Sequence, residues 1–105
     1  EHIEKDIDAI TNLYDSLQSN GILLASVPIY PAGNNITFQR EIIKLGDNEK
    51  YYGHQDHVRA CGYDYIDRFE KVGFKDINTV DALNIPQIDK KKFGLIDHIA
   101  WICKK

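Results

Sequence analysis

Four histidines stand out as chemistry-bearing residues in this chain: His2, His54, His57 and His98, with Asp56 and Asp97 beside three of them. A metal centre needs three or four deprotonated ligands to converge. His54-Gln55-Asp56-His57 offers an i, i+3 pair, but nothing in the spacing fixes a third ligand. No metal site is therefore expected, and the histidines read as surface or hydrogen-bonded groups. Cys61 and Cys103 are far apart and lack a C-x-x-C spacing, so neither a zinc site nor a disulfide framework is indicated. A reduced, cytoplasmic protein fits that usage.

The formal net charge of -3 argues against a phosphate-binding surface, because nucleic-acid domains carry clustered Lys and Arg. The one basic cluster, Lys90-Lys91-Lys92, reads as a solvated turn, and Lys104-Lys105 as a basic tail. No apolar run approaches the roughly 20 residues of a membrane helix, and no signal peptide is expected from the opening residues. With 105 residues, 43% of them hydrophobic, the chain is expected to fold as a single domain around one modest core. It begins with Glu1 and contains no methionine, so its natural start is expected to lie elsewhere.

The elements that must position these residues follow from periodicity. Ile3, Ile7, Ile10, Tyr14 and Leu17 fall on one stripe of a 3.6-residue repeat, which predicts a helix over residues 4–19. Asn20-Gly21 should end it, with the glycine left-handed. Residues 22–27 are an unbroken apolar run, the pattern of a strand covered on both faces, stopped by Pro28. Residues 29–55 carry glycine and asparagine punctuation, with a short helical turn at residues 38–45, and read as a functional loop. A helix is predicted over residues 63–72, with Asp64 as its cap, Tyr65 in the core and Gly73 as its stop. A strand is expected at residues 74–80, a connection at 81–95 and a final strand at 98–103.

Three stretches resemble the C-terminal half of the class I S-adenosylmethionine-dependent methyltransferases. They are EHIEKD at residues 1–6, LYDSLQSNGILLASVP at residues 13–28, and HVRACGYDYIDRFEKVGF at residues 57–74. The first is similar to a Leu-Glu-His-Ile motif that ends a strand in that family. The second has Gln18-Ser19-Asn20-Gly21 where the family usually has Leu-Lys-Pro-Gly-Gly. The third, an His-x-Arg-x-x-Gly-x-Asp-Tyr stretch, is the most specific. The resemblance implies an α/β fold in which residues 1–105 are a single partial domain, the C-terminal half of a Rossmann-like sheet. Its order would be helix-strand-helix-strand-strand, with the last strand antiparallel.

The resemblance also implies roles. Glu1 and His2 would sit at the rim of the cofactor pocket, although a terminal histidine can equally be disordered. Tyr30, leaving the carboxyl end of a strand, would line the substrate cavity or pack against its own loop. His57 would be the catalytic general base, since the methyl acceptor must lose a proton. Arg59 would hold a substrate carboxylate or phosphate through its planar fork, or pair with an acidic neighbour such as Asp64. The implied activity is methyl transfer from S-adenosylmethionine to a small-molecule or saccharide acceptor. The family's glycine-rich cofactor turn is not among these residues, so this chain alone is expected to bind the cofactor poorly and to be inactive. A strand left without its neighbours would expose a flat apolar edge, which predicts a homo-oligomer. The alternative is a stand-alone α/β module that dimerises or binds a ligand without catalysis.

Overall fold

The computed structural model describes residues 1–40, 44–96 and 98–105. Asp97, and residues 41–43 within the helical turn expected at 38–45, lie outside the described residues.

The apolar stripe at the N-terminus folds as α1 (Asp6–Ser16), with Asp6 and Asp8 in the first turn, where the helix dipole favours negative charge. The helix ends earlier than its periodicity predicts. Leu17 is already extended, and the Lys105 ammonium donates to the Tyr14 and Leu17 carbonyls at 2.7 and 2.9 Å. The left-handed residue of the next turn is Asn20 (φ 63°) rather than Gly21, whose N–H closes the turn on the Gln18 carbonyl at 2.8 Å. Asparagine tolerates this region because its short amide bonds locally.

β1 (Ile22–Ala25), β2 (Asp76–Asp81) and β3 (Ile99–Lys104) make one sheet in the order β1-β3-β2, with β3 antiparallel to both neighbours. The fold is mixed α/β. Strand β1 stops short of the expected residue 27, where the Ser26 hydroxyl donates to the Ile99 carbonyl at 2.7 Å. Ile99, Trp101 and Cys103 on alternate positions of β3 are buried, and Ile10 of α1 and Phe69 of α3 (Ile66–Val72) pack in the same core. Trp101 lies 5.6 Å from Phe69 and 6.0 Å from Tyr65 between ring centroids, spacings at which aromatic pairs attract beyond their buried area.

Only one face of the sheet is covered this way. The register sets Leu23 opposite Cys103 and Ala25 opposite Trp101 on the covered face. Ile22 and Leu24 therefore point to the other face, where they are 61% and 70% exposed. The shortest dimension, 19 Å, is that of one sheet layer and one helix layer. Thus the apolar run is not covered on both faces among the described residues, and β1 is an edge strand with β3 as its one partner.

Two further expectations are corrected. Residues 81–95 are not an irregular connection: they hold a 3-10 turn (Ala82–Asn84) and α4 (Gln87–Phe93), which follows Pro86 and is closed by left-handed Gly94. The lysine triplet forms the last turn of α4, at the helix's negative end. Asp64 does not cap a helix, since its carboxylate accepts from the Thr37 N–H and hydroxyl, each at 2.6 Å, and so binds the long loop to the 3-10 turn Tyr63–Tyr65 that precedes α3. No helix of the described residues is long and apolar enough to cross a membrane.

Candidate functional site

The site is built at the end of a short helix, α2 (Asn48–Tyr52). Tyr52 is fully buried, and its hydroxyl accepts the Arg40 N–H at 3.1 Å, which fixes the helix to the loop. Gly53 then takes the left-handed conformation (φ 79°) and turns the chain into residues 54–57. The Tyr30 ring lies against it so closely that a Cβ at position 53 would fall 2.6 Å from a ring carbon. Both the backbone angle and the contact therefore call for glycine. The turn closes with the His57 N–H on the His54 carbonyl at 3.2 Å, and the Asn48 side-chain amide donates to the His57 carbonyl at 3.0 Å.

Residues 58–61 then run between two other segments. Val58 donates to the Glu1 carbonyl at 2.8 Å, Ala60 exchanges both backbone bonds with Phe38 at 2.8 and 2.9 Å, and Tyr30 donates to the Cys61 carbonyl at 3.0 Å. At Gly62 a Cβ would sit 2.5 Å from the Ile36 nitrogen, so only glycine lets the residue 34–36 strip pass over this stretch. The long loop is stitched to the fold between residues 30 and 38.

Arg59 is the fastener for the N-terminal segment. Its side chain is 0% exposed and donates to the Ile3 carbonyl at 2.6 Å, to the Glu4 carbonyl at 2.8 Å, and twice to the Gln39 side-chain oxygen at 3.1 and 2.8 Å. Asp6 lies 3.4 Å from one guanidinium nitrogen and accepts from Arg68 at 2.6 Å. Paired and hydrogen-bonded, the buried charges avoid the desolvation penalty that an isolated one would suffer. Burial, with the Asp6 carboxylate beside it, also pushes the Tyr65 phenol upward, so it stays protonated.

This clamp brings residues 1–2 to residues 54–57. The His2 and His57 ring centroids are 4.8 Å apart, His54 and His57 are 5.0 Å apart, and His2 Nε2 lies 3.4 Å from a Glu1 carboxylate oxygen. Hydrogen-bond partners assign the tautomers. His57 Nδ1 faces the Tyr52 carbonyl at 3.1 Å and His2 Nδ1 the Asp56 carbonyl at 3.2 Å. A carbonyl only accepts, so Nδ1 carries the proton in both neutral rings and Nε2 keeps its lone pair. His54 is the reverse, because its Nδ1 accepts the Asp56 N–H at 3.2 Å. Two basic imidazole nitrogens and a carboxylate thus share one site.

No family profile, curated protein or solved structure matches this chain.

Of the residues singled out from sequence, the fold brings Glu1, His2 and His57 together and sets Tyr30 against Gly53, the residue before His54. Arg59 lies behind them, its guanidinium engaged with the protein's own carbonyls and with Gln39 rather than facing a cavity. His98 is elsewhere, in a cavity of about 220 Å3 with Pro28, Tyr63 and Asp81, beyond the carboxyl ends of β1 and β2. Sequence reasoning missed the Asp6–Arg59–Gln39 network and the joining of Glu1 and His2 to His57. No spacing in the sequence signals either contact.

Proposed function

We propose that this chain is the acceptor side of an S-adenosylmethionine-dependent methyltransferase sheet, acting on a small-molecule or saccharide acceptor. The observation that carries the reading is the meeting of Glu1, His2 and His57, three residues of the stretches that resemble the family, at a single site. The last strand, β3, is antiparallel to both of its neighbours, which supports the reading, since the resemblance implies an antiparallel last strand. In this reading His57 accepts the acceptor's proton at Nε2, with Nδ1–H held by the Tyr52 carbonyl. Arg59 is a positioning residue that holds residues 1–4 against the loop.

The residues present do not complete a site for the methyl donor. Glu1 and His2 form one rim, and no glycine-rich turn of the Gly-x-Gly type occurs in the 105 residues. An apolar groove of about 220 Å3 between α1 and β1, lined by Ile10, Leu13 and Leu23 among others, lies where a further strand would add to the sheet. The reading assigns the donor-binding half to that neighbour. The test is to co-express the chain with the reading frame upstream of Glu1 and supply methyl-labelled donor with a panel of acceptors. Label transfer that is lost in His57→Ala supports the reading; an upstream frame with no strand followed by a glycine-rich turn refutes it.

The open sheet face favours a second reading, a stand-alone module that self-associates through β1. Exposed Ile22 and Leu24 on an unpaired edge are the observation behind it. Sedimentation at micromolar concentration separates the outcomes: a dimer or larger species supports association, and a monomer removes it.

A further inference from the structure

We propose that Glu1, His2 and His57 form a binding site for a divalent first-row transition-metal ion, with zinc as the reference ion. This goes beyond the methyl-transfer reading and does not rest on it. One ligand atom from each of the three residues lies within 4.8 Å of the other two. The His2 Nε2–Glu1 oxygen separation of 3.4 Å already equals that of two tetrahedral ligands each roughly 2.0–2.1 Å from one zinc ion, about 3.4 Å. His57 is the ligand that must approach further, or be met by a turn of the half-exposed His2 ring.

The outer hydrogen bonds make this more than proximity. A metal-bound imidazole characteristically donates its other N–H to a backbone carbonyl or carboxylate, which fixes the ring and the tautomer. Both rings do so here, His57 to Tyr52 and His2 to Asp56, and each is left with its Nε2 lone pair. His54, whose Nδ1 is taken by the Asp56 N–H, flanks the site as a ring and is not counted as a ligand. The i, i+3 histidine pair visible in the sequence is thus not the ligand pair; the Arg59 clamp on residues 3 and 4 brings the other two ligands, Glu1 and His2, to His57. Two imidazoles and one carboxylate suit zinc, iron(II), cobalt or nickel rather than magnesium or calcium, which prefer all-oxygen sets. Three protein ligands leave a fourth position for water or a substrate oxygen, the arrangement of catalytic rather than structural zinc. With a cation there, the His57 lone pair is committed, and lowering the pKa of a bound hydroxyl passes to the ion.

The experiment is calorimetric titration of the chelator-treated protein with Zn2+, and visible absorption after adding Co2+. The expected results are one ion per chain and cobalt ligand-field bands of a four- or five-coordinate site. Because His57 Nδ1 also holds the Tyr52 carbonyl, the deciding variants are His2→Ala and Glu1→Gln, with folding checked by the near-ultraviolet dichroism of buried Trp101. Each should weaken Zn2+ by at least about 10-fold, while His98→Ala, in the separate cavity, should leave it unchanged. No one-to-one binding by the wild type, or equal affinity in folded His2→Ala and Glu1→Gln, overturns the proposal. Neither result bears on label transfer, so this proposal and the methyl-transfer reading fail separately.

Discussion

Replacing Arg59 with methionine removes the fastener while keeping most of the side chain's apolar volume. The guanidinium makes four hydrogen bonds, to the Ile3 and Glu4 carbonyls and twice to Gln39, and lies 3.4 Å from Asp6. Hydrogen bonds to a charged group contribute roughly 1.5–3 kcal/mol each. Two effects reduce the sum. Asp6 keeps Arg68 at 2.6 Å, so no carboxylate is orphaned, and Ile3 and Glu4 are exposed residues whose carbonyls water can reach once the segment loosens. The expected net loss is about 3 kcal/mol, a large part of the roughly 5–15 kcal/mol that holds a domain together. In urea this should lower the unfolding midpoint by about 2 M. Hydrogen exchange should also show the Val58 amide, bonded to the Glu1 carbonyl, losing protection beyond the global change. Arg59→Lys should recover little, because one ammonium cannot reach both carbonyls and Gln39 in the same planar geometry. A midpoint shift below about 0.5 M, with Val58 still protected, would refute the clamp.

Burial pushes the Cys103 thiol from its ordinary 9.0 up to about 11, so the folded state keeps a proton that the unfolded chain releases. That stabilisation is whole below pH 9 and is lost as pH rises towards 11; urea midpoints in this window should fall with pH in the wild type and fall less in Cys103→Ala. Gly53→Ala should cost about 1–2 kcal/mol from the left-handed backbone alone, and more if Tyr30 cannot move aside; a thermal midpoint equal to the wild type's would contradict the packing described. Cys61 and Cys103 are both buried free thiols, and neither should react with an aromatic disulfide reagent until the protein unfolds. Leu24→Lys, on the open face of β1, should reduce any self-association seen by sedimentation without lowering the unfolding free energy by more than about 0.5 kcal/mol.

Much of the framework was legible because it depends on local periodicity. The Ile7, Ile10 and Tyr14 stripe produced α1, and the β-rich run at residues 99–103 produced the central strand. What escaped was decided by residues distant in sequence. The end of α1 depends on an ammonium about ninety positions later, at Lys105. Asp64 has the composition of a cap, but Thr37 offers it an N–H and a hydroxyl together. Helix α4 was overlooked although Pro86 and Gly94 bracket it, because Ile88 and Phe93 are exposed and make no buried stripe. The individual site residues were visible as types, but their convergence was not. Nothing in the spacing of residues 2 and 57 says that Arg59 will tie one to the other.

The stitching of the long loop has a consequence for recognition. A segment of such length invites the image of a flap that swings shut, yet between residues 30 and 38 its backbone is already committed to Ala60, Cys61, Tyr63 and Asp64. A rim that arrives pre-set surrenders little disorder when a guest docks, so selectivity falls to contour and to the few polar atoms along it. Such a protein should reject a guest that is a methylene too large by roughly 10–200-fold, and more strongly one of the same outline that leaves a polar atom of the rim unpaired.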